Sequence, residues 1–236
     1  MSKYKILLGF LFSTALSGCQ NQLQQPLLTN DITDSISCEY SVKYNNIYLC
    51  LPSIVGFKEC YNLPTINKRA NEYNYDGNTI LAYYIREKAS KEAISNADIH
   101  LDEYFQIFAV DQYFNQTFDD KKLKMMADGF EKQFDLTKWK SLKNKLENVY
   151  DISLGNPILI ERYSISPNAY SFEIIMKTIT RNEEHIQVMV MNLITVHSKL
   201  YNLGYYLDYV DSENMKGLKA KNDFAVLSFL NINKKL

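Results

Sequence analysis

The sequence is poor in glycine, proline and tryptophan: its 236 residues include 8 glycines, 5 prolines and 1 tryptophan. This composition excludes collagen-like and low-complexity chains. Basic and acidic side chains nearly balance, 26 against 27, so no general attraction to phosphate backbones is expected and no nucleic-acid partner is predicted. Hydrophobic residues make up 46% of the chain, enough to offset chain entropy, so we expect it to fold.

Motifs that mark common active sites are also missing from the sequence. It contains no GxSxG, HExxH, GxGxxG or GxxxxGK motif and no EF-hand loop. None of the cysteine spacings is CxxC, so neither a zinc knuckle nor a thioredoxin-like site is supported. The sequence therefore predicts no catalytic residue, no metal site and no cofactor.

The three histidines leave three weak candidates for chemistry. The candidate groups are His100 with Asp102 and Glu103, His185 with Glu183 and Glu184, and His197 with Ser198. The first is a partial metal-ligand set, the second an acid/base pair on a predicted hairpin tip, and the third part of a distributed triad. A polar connector or a turn explains each group as well, and we favour that interpretation.

The N-terminus carries the most informative pattern in the chain. Lys3 and Lys5 precede an apolar run of 11 residues, 6–16, which suits an export signal and is too short to span a membrane. The run ends in Leu16-Ser17-Gly18-Cys19, which resembles the lipobox of bacterial lipoproteins. An uncleaved anchor, or a secretory signal followed by a coincidental cysteine, is the alternative.

The resemblance to lipoproteins implies that Cys19 is acylated and that residues 1–18 are removed. Several acyl chains give durable membrane attachment, because each buried methylene adds about 0.8 kcal/mol. Gln20 replaces the aspartate that retains enterobacterial lipoproteins in the inner membrane. We therefore expect a lipid-anchored protein of the bacterial cell envelope, in the outer membrane and facing the periplasm.

The remaining chain divides into a spacer and a body. Residues 19–37 are rich in Gln, Asn, Thr and Ser and contain no basic residue, which is typical of a flexible tether. Residues 38–236 contain no repeat and no second linker, and their length predicts a single domain.

Cys38, Cys50 and Cys60 form an odd set in an oxidising compartment. Cys50 and Cys60 bracket a short loop with Pro52 and Gly56, so this pair is the preferred disulfide candidate and Cys38 is left over. Pairing of Cys38 with either of the others, or three buried thiols, remains open.

Periodicity predicts an α+β protein. Strands are expected at 78–85, 104–114, 158–165, 170–180, 185–196 and 199–210, and helices at 87–96, after Thr117 and Asp120, after Thr137, and from Ser212 to about 231. In the strand 185–196 both faces are apolar, which requires layers above and below the sheet. The fold class predicted is a largely antiparallel sheet flanked by helices, an α/β/α sandwich with a C-terminal helix.

This element order, over about the last two-thirds of the chain, resembles that of PsbP-like α/β/α sandwich proteins. The resemblance implies an accessory or binding protein more than an enzyme, and it assigns no site residue. Tyrosine clusters offer a possible partner surface, although strand propensity is the preferred explanation; the clusters are Tyr73, Tyr75, Tyr83 and Tyr84, and Tyr201, Tyr205, Tyr206 and Tyr209.

The leading functional hypothesis is a lipoprotein that binds a protein or another envelope component through its folded body and performs no chemistry. Two alternatives stand beside it. One is a periplasmic hydrolase of unrecognised family that uses His197 or His185; the other is a tethered immunity or inhibitor protein that neutralises a toxin.

Overall fold

The structure is a computed structural model that describes residues 38–72, 74, 76–94, 96, 99–134, 153–180, 183–209 and 215–234. The lipobox with Cys19, the tether 19–37 and the helix predicted after Thr137 lie outside these residues. Within them, no helix combines the length and the apolar character that a membrane crossing requires.

Ten strands are present in the described ranges. Their bounds are β1 Tyr40–Tyr44, β2 Ile47–Leu51, β3 Phe57–Glu59, β4 Asn78–Arg86, β5 Glu103–Val110, β6 Ser153–Leu154, β7 Ile158–Ser166, β8 Ala169–Thr180, β9 Glu183–Val196 and β10 Lys199–Asp208. β1 and β2 form a separate hairpin. The other eight make one sheet in the order β3-β4-β5-β10-β9-β8-β6, with β7 also paired to β8. Every pairing is antiparallel.

Four helices accompany the sheet in the described residues: α1 Pro64–Glu72, α2 Glu87–Ala93, α3 Asp120–Glu131 and α4 Leu218–Asn233. The predicted start of α3 is wrong by two residues, because Asp119, and not Thr117, caps it: the Lys122 N–H donates to Asp119 Oδ1 at 2.7 Å. A carboxylate suits this position, since the first turn of a helix has unsatisfied N–H groups.

The sheet separates two hydrophobic clusters. Helices α1, α2 and α3 cover one face, where Met189, Met191 and Leu193 of β9 are buried. The β1–β2 hairpin and α4 cover the other face, where Val188 and Val190 of the same strand are buried. The predicted α+β architecture, with a largely antiparallel sheet and layers on both sides, is therefore confirmed.

A buried amide network fixes α4 on the sheet. Asn192 Nδ2 donates to Asn222 Oδ1 at 2.7 Å, and Ser171 Oγ donates to Asn192 Oδ1 at 2.5 Å. At the C-terminal end of α4, the Asn233 side chain exchanges two hydrogen bonds of 2.9 Å with the backbone of Cys50. Since buried polar groups are costly unless paired, these contacts help to fix α4 near both of its ends.

The predicted ends of three elements differ from the structure. The strand predicted to reach residue 114 stops at Val110, where a 3-10 turn begins. Helix α2 ends at Ala93 instead of residue 96. The last helix does not contain Gly217 but starts after it, because Gly217 has a φ of 80°, a left-handed conformation that suits glycine.

The preferred disulfide, Cys50 with Cys60, is wrong. Cys38 is bonded to Cys50 with a Cα separation of 5.4 Å, and Cys60 is a free, buried thiol. The physical reason is that Cys60 packs in the cluster under α1–α3, whereas Cys50 lies in the hairpin on the opposite face of the sheet. Their proximity in sequence does not bring the two sulfur atoms together.

Candidate functional site

His197 and Ser198, the candidate part of a triad, lie in a hairpin turn. His197 and Ser198 have φ values of 50° and 58° and are exposed in the turn between β9 and β10. Positive φ at both central residues is typical of a tight hairpin turn, so backbone geometry accounts for this pair.

His100 contacts Asp208 and not Glu103 among the described residues. Its Nε2 lies 2.9 Å from Asp208 Oδ2, and the backbone carbonyl of Asp102 accepts a hydrogen bond of 2.8 Å from the Asp208 N–H. His185 also interacts electrostatically with Asp208. Across the described ranges, no three His, Cys, Asp or Glu side chains are placed to hold a metal ion. The side chains of Glu183 and Glu184 lie outside the described residues.

Glu103 instead forms a buried charge cluster on the hairpin face. Its carboxylate is 1% exposed and contacts Lys221 at 2.9 Å, with Arg86 and the Tyr205 hydroxyl as further partners. Burial raises the pKa of Glu103, but the hydrogen bonds from Tyr205 and Lys221 and the charges of Lys221 and Arg86 outweigh burial, so the pKa lies below its ordinary value. All three partners contact this carboxylate, so the cluster links strands β4, β5 and β10 to helix α4.

Most of the clustered tyrosines are core residues. Tyr83, Tyr84, Tyr201, Tyr205 and Tyr206 are each less than 5% exposed. Tyr73 and Tyr75 lie outside the described residues. For Tyr83, Tyr201, Tyr205 and Tyr206, the idea of a partner-facing aromatic surface is wrong, because their rings are buried in the two hydrophobic clusters.

A groove opens where the hairpin, strand β3 and helix α2 meet. Its volume is about 560 Å³, within the range of roughly 300 to 1,000 Å³ that is usual for ligand pockets. The apolar part of its lining consists of Tyr40, Pro52, Ile54, Val55, Phe57 and Tyr84. This mixture of aliphatic and aromatic surface is suited to receiving side chains of a partner.

A tight turn builds the rim of the groove. The Phe57 N–H donates to the Ile54 carbonyl at 3.0 Å, and Gly56 has a φ of 80°. Glycine is favoured at this position of the turn because it has no Cβ to clash. The turn leaves Val55 80% exposed, whereas Ile54 is buried. An aliphatic side chain is thereby held in solvent at the edge of a concave surface.

The charged side chains that line the groove fall into two groups: two accept hydrogen bonds, and three form no ion pair among the described residues. Glu39 accepts a hydrogen bond of 2.7 Å from Ser53 Oγ, and Glu59 accepts from the backbone N–H groups of Tyr61 and Tyr83 at 2.9 and 3.1 Å. The other charged lining residues are Lys58, Glu87 and Lys91. None of these three has an ion pair within the part of the chain that the structure describes.

The sequence interpretation missed this site. It used Pro52 and Gly56 only as loop formers between two cysteines. The available signal was an aliphatic residue, Val55, directly before a turn glycine. However, the groove also needs Tyr40 and Lys91, which are distant in the chain and come together only through the fold.

Comparisons with known proteins do not assign the chain to a family. No family model matches the chain, and no curated protein matches it. A mutant of protein Mog1 is 10% identical with a TM-score of 0.33, covering 83% of this chain and 93% of that chain. The Saccharomyces cerevisiae Ran-binding protein Mog1p is 10% identical with a TM-score of 0.35, covering 83% and 92%. The chain is an α+β protein, and its resemblance to PsbP-like proteins stays a prediction.

Proposed function

We propose that the chain is a lipid-anchored protein of the bacterial cell envelope that binds an envelope protein through the groove between the hairpin, β3 and α2. The observation that carries the binding role is the exposed Val55 beside apolar Tyr40 and Phe57 in a cavity of about 560 Å³. Exposed apolar surface at a concave site is a common mark of an interaction surface.

The anchoring part of the proposal depends on Cys19 and the residues before it. Tyr40 and Glu39 line the groove and follow Cys38 directly, so the groove is adjacent to the point where the 19–37 segment joins the body. A tether of this length spans at most about 65 Å, at about 3.5 Å per residue, so the groove lies within that distance of an anchored Cys19. A membrane-associated partner fits this placement.

Metabolic labelling with a radioactive fatty acid tests the anchor. We expect incorporation into the wild-type chain and its loss in Cys19→Ser. Label that persists in this variant would show that another residue is acylated, and would overturn the assignment of Cys19.

Site-specific photocrosslinking in cells tests the groove. A photoreactive amino acid at position 55 is expected to give one discrete crosslinked product. The matched control is position 125 on α3, because Met125 is also exposed, at 60%, but lies away from the groove. Equal products from both positions, or none from position 55, would overturn the binding site. If the product is a secreted toxin, the protein acts as an inhibitor.

A further inference from the structure

Helix α4 has large apolar side chains on both of its faces. Its inner face packs on the sheet with Val226 and Phe229, which are buried. Its outer face carries Phe224 and Leu227, which are 49% and 40% exposed. Residues three and four apart lie on the same side of a helix, so the centre of this outer face is a row of uncharged side chains. The row consists of Ala220, Phe224, Leu227 and Asn231.

Helix α3, on the opposite side of the sheet, has a different outer face. Its exposed side chains include Lys121, Lys124 and Glu131, with Met125 as a single apolar residue among them. A helix that faces water normally has such a charged outer face, whereas a helix that is apolar all round is normally covered. The outer face of α4 is therefore suited to an apolar environment.

The exposed apolar area on α4 is too small for a stable protein interface. Since a whole large aromatic side chain covers about 150 to 250 Å², the exposed parts of Phe224 and Leu227 amount to on the order of 200 Å². A stable complex buries about 800 Å² on each partner. The interface of a lipid bilayer needs no complementary shape, so two apolar side chains on a helix can enter it.

The 19–37 segment joins the body on the side of the sheet that α4 covers. It ends at Cys38, which is bonded to Cys50. Asn233, at the end of α4, exchanges two hydrogen bonds of 2.9 Å with the backbone of Cys50. For a chain anchored through Cys19, contact between α4 and the bilayer is an intramolecular event with a high effective concentration. A small apolar surface is then sufficient for the contact.

The charges beside the outer face of α4 are balanced. Lys219 and Lys221 each pair with a glutamate, at 2.7 and 2.9 Å. Asp223 and Lys234 add one charge of each sign. We therefore expect contact with a membrane to depend on apolar area and only weakly on salt.

We infer that the outer face of α4 lies on the bilayer that holds the anchor, with Phe224 and Leu227 inserted between the lipid headgroups. This inference rests on the anchor in the proposed function. The helix axis then lies parallel to the membrane plane, as in other amphipathic helices that bind at the interface. This contact gives the folded body, and with it the groove, one orientation relative to the membrane.

Fluorescence quenching by lipids tests the inference. The acylated full-length protein is reconstituted into phosphatidylethanolamine and phosphatidylglycerol vesicles that contain nitroxide-labelled phospholipid. A fluorophore is attached at Leu227→Cys or, as the matched control, at Met125→Cys on α3. Cys60 is buried and Cys38 is bonded to Cys50, so the introduced thiol is the one to be labelled. We expect at least fivefold more quenching at position 227 than at position 125.

Substitutions at position 224 identify the side chain responsible. Phe224→Asp and the uncharged Phe224→Ser should each reduce quenching at position 227 at least fivefold, whereas Phe224→Leu should retain it. Met125→Asp should not change it. Raising sodium chloride from 0.1 to 1 M should change quenching less than twofold. Circular dichroism shows that each variant is folded, and the comparison of positions 227 and 125 needs no substitution at Phe224.

The opposing results are equally defined. Equal quenching at the two positions, or quenching at position 227 that persists in both polar variants, overturns the inference. Quenching that disappears at high salt indicates attraction by lysines instead of apolar insertion and also overturns it. Concentration-dependent dimers that Phe224→Asp abolishes would identify a second copy on this face, with the same consequence.

Failure of the inference can be distinguished from failure of the proposed function. If Cys19 incorporates fatty acid but position 227 is not quenched, the inference fails and the anchor stands. If Cys19 incorporates no fatty acid, the anchor fails and the inference fails with it. Crosslinking from position 55 reports on the groove independently of both results.

Discussion

At the scale of single residues, Gly204 shows how closely the sheet is packed under α1–α3. A Cβ built at Gly204 would lie 2.7 Å from Cε2 and 2.8 Å from the hydroxyl of Tyr206. The ring of Tyr206 cannot easily move, because it is buried and stacked on Tyr104 with centroids 4.6 Å apart and planes 13° apart. Glycine in a strand interior often marks such a close approach.

Gly204→Ala is therefore expected to destabilise the protein by about 1 to 3 kcal/mol, as overpacking typically does. Urea unfolding measures the change in the free energy of unfolding. In the double variant with Tyr206→Leu, the alanine should cost much less than it does alone, because the ring that it meets has been removed. A Gly204→Ala protein as stable as wild type would show that the stack can shift without cost.

At the scale of elements, the hairpin is held by contacts from two ends of the chain. The Cys38–Cys50 disulfide closes it from one side, and Asn233 at the end of α4 hydrogen-bonds the backbone of Cys50 from the other. Because the hairpin supplies one wall of the groove, these contacts also hold the groove in shape.

Thiol alkylation tests this pairing. Burial and the charge of Glu59 raise the pKa of the Cys60 thiol to about 11, so in the native protein at pH 8 this thiol should react very slowly with iodoacetamide. Unfolding without a reductant should expose Cys60, and peptide mass spectrometry should find the label there and not on Cys38. Label on Cys38 would instead support a bond between Cys50 and Cys60.

The elements also show what the sequence could predict. Strands β7 to β10 alternate or run apolar over 9 to 14 residues, and their positions are confirmed to within two residues at every end. The cap of α3, the start of α4 and the disulfide were predicted less well. These features depend on one side chain, one backbone angle or one distance across the sheet, and periodicity contains none of this information.

The groove was beyond prediction for the same reason. Its walls come from β1, β3, β4 and α2, and a sequence pattern does not tell which loops will meet. Conversely, the sequence made His197 and Ser198 candidates for chemistry, although the hairpin turn that they form, with positive φ at both residues, explains why they are there.

At the scale of the whole molecule, Glu103 joins parts of the chain that are far apart in sequence. Tyr205 lies 102 residues from it and Lys221 lies 118 residues from it. The lowered pKa of Glu103 means that its ionised form favours the folded state. This contribution is complete above the unfolded pKa of about 4.3 and is lost as the pH falls through the lower folded pKa.

Glu103→Gln should accordingly destabilise the protein by about 1 to 3 kcal/mol at pH 7, because a buried carboxylate loses its charge-assisted hydrogen bonds, while its partners Arg86 and Lys221 are 46% and 47% exposed and stay hydrated. The difference from wild type should shrink as the pH falls below about 4.3, because the Glu103 carboxyl then takes up a proton in the unfolded chain before it does so in the folded protein. Chemical unfolding at pH 7, 5 and 3.5 measures both. A difference that stays constant across this range would mean that shape, and not charge, determines the effect.

The order of strands has a consequence for how the chain is made. Strands β3 to β5 form one meander and β7 to β10 another, with β6 also paired to β8, and the two meanders join along β5 and β10. Synthesis from the N-terminus completes β5 well before its partner strand β10 exists, so one edge of β5 stays unpaired until then. The nascent chain should thus depend on a chaperone until its final third has emerged.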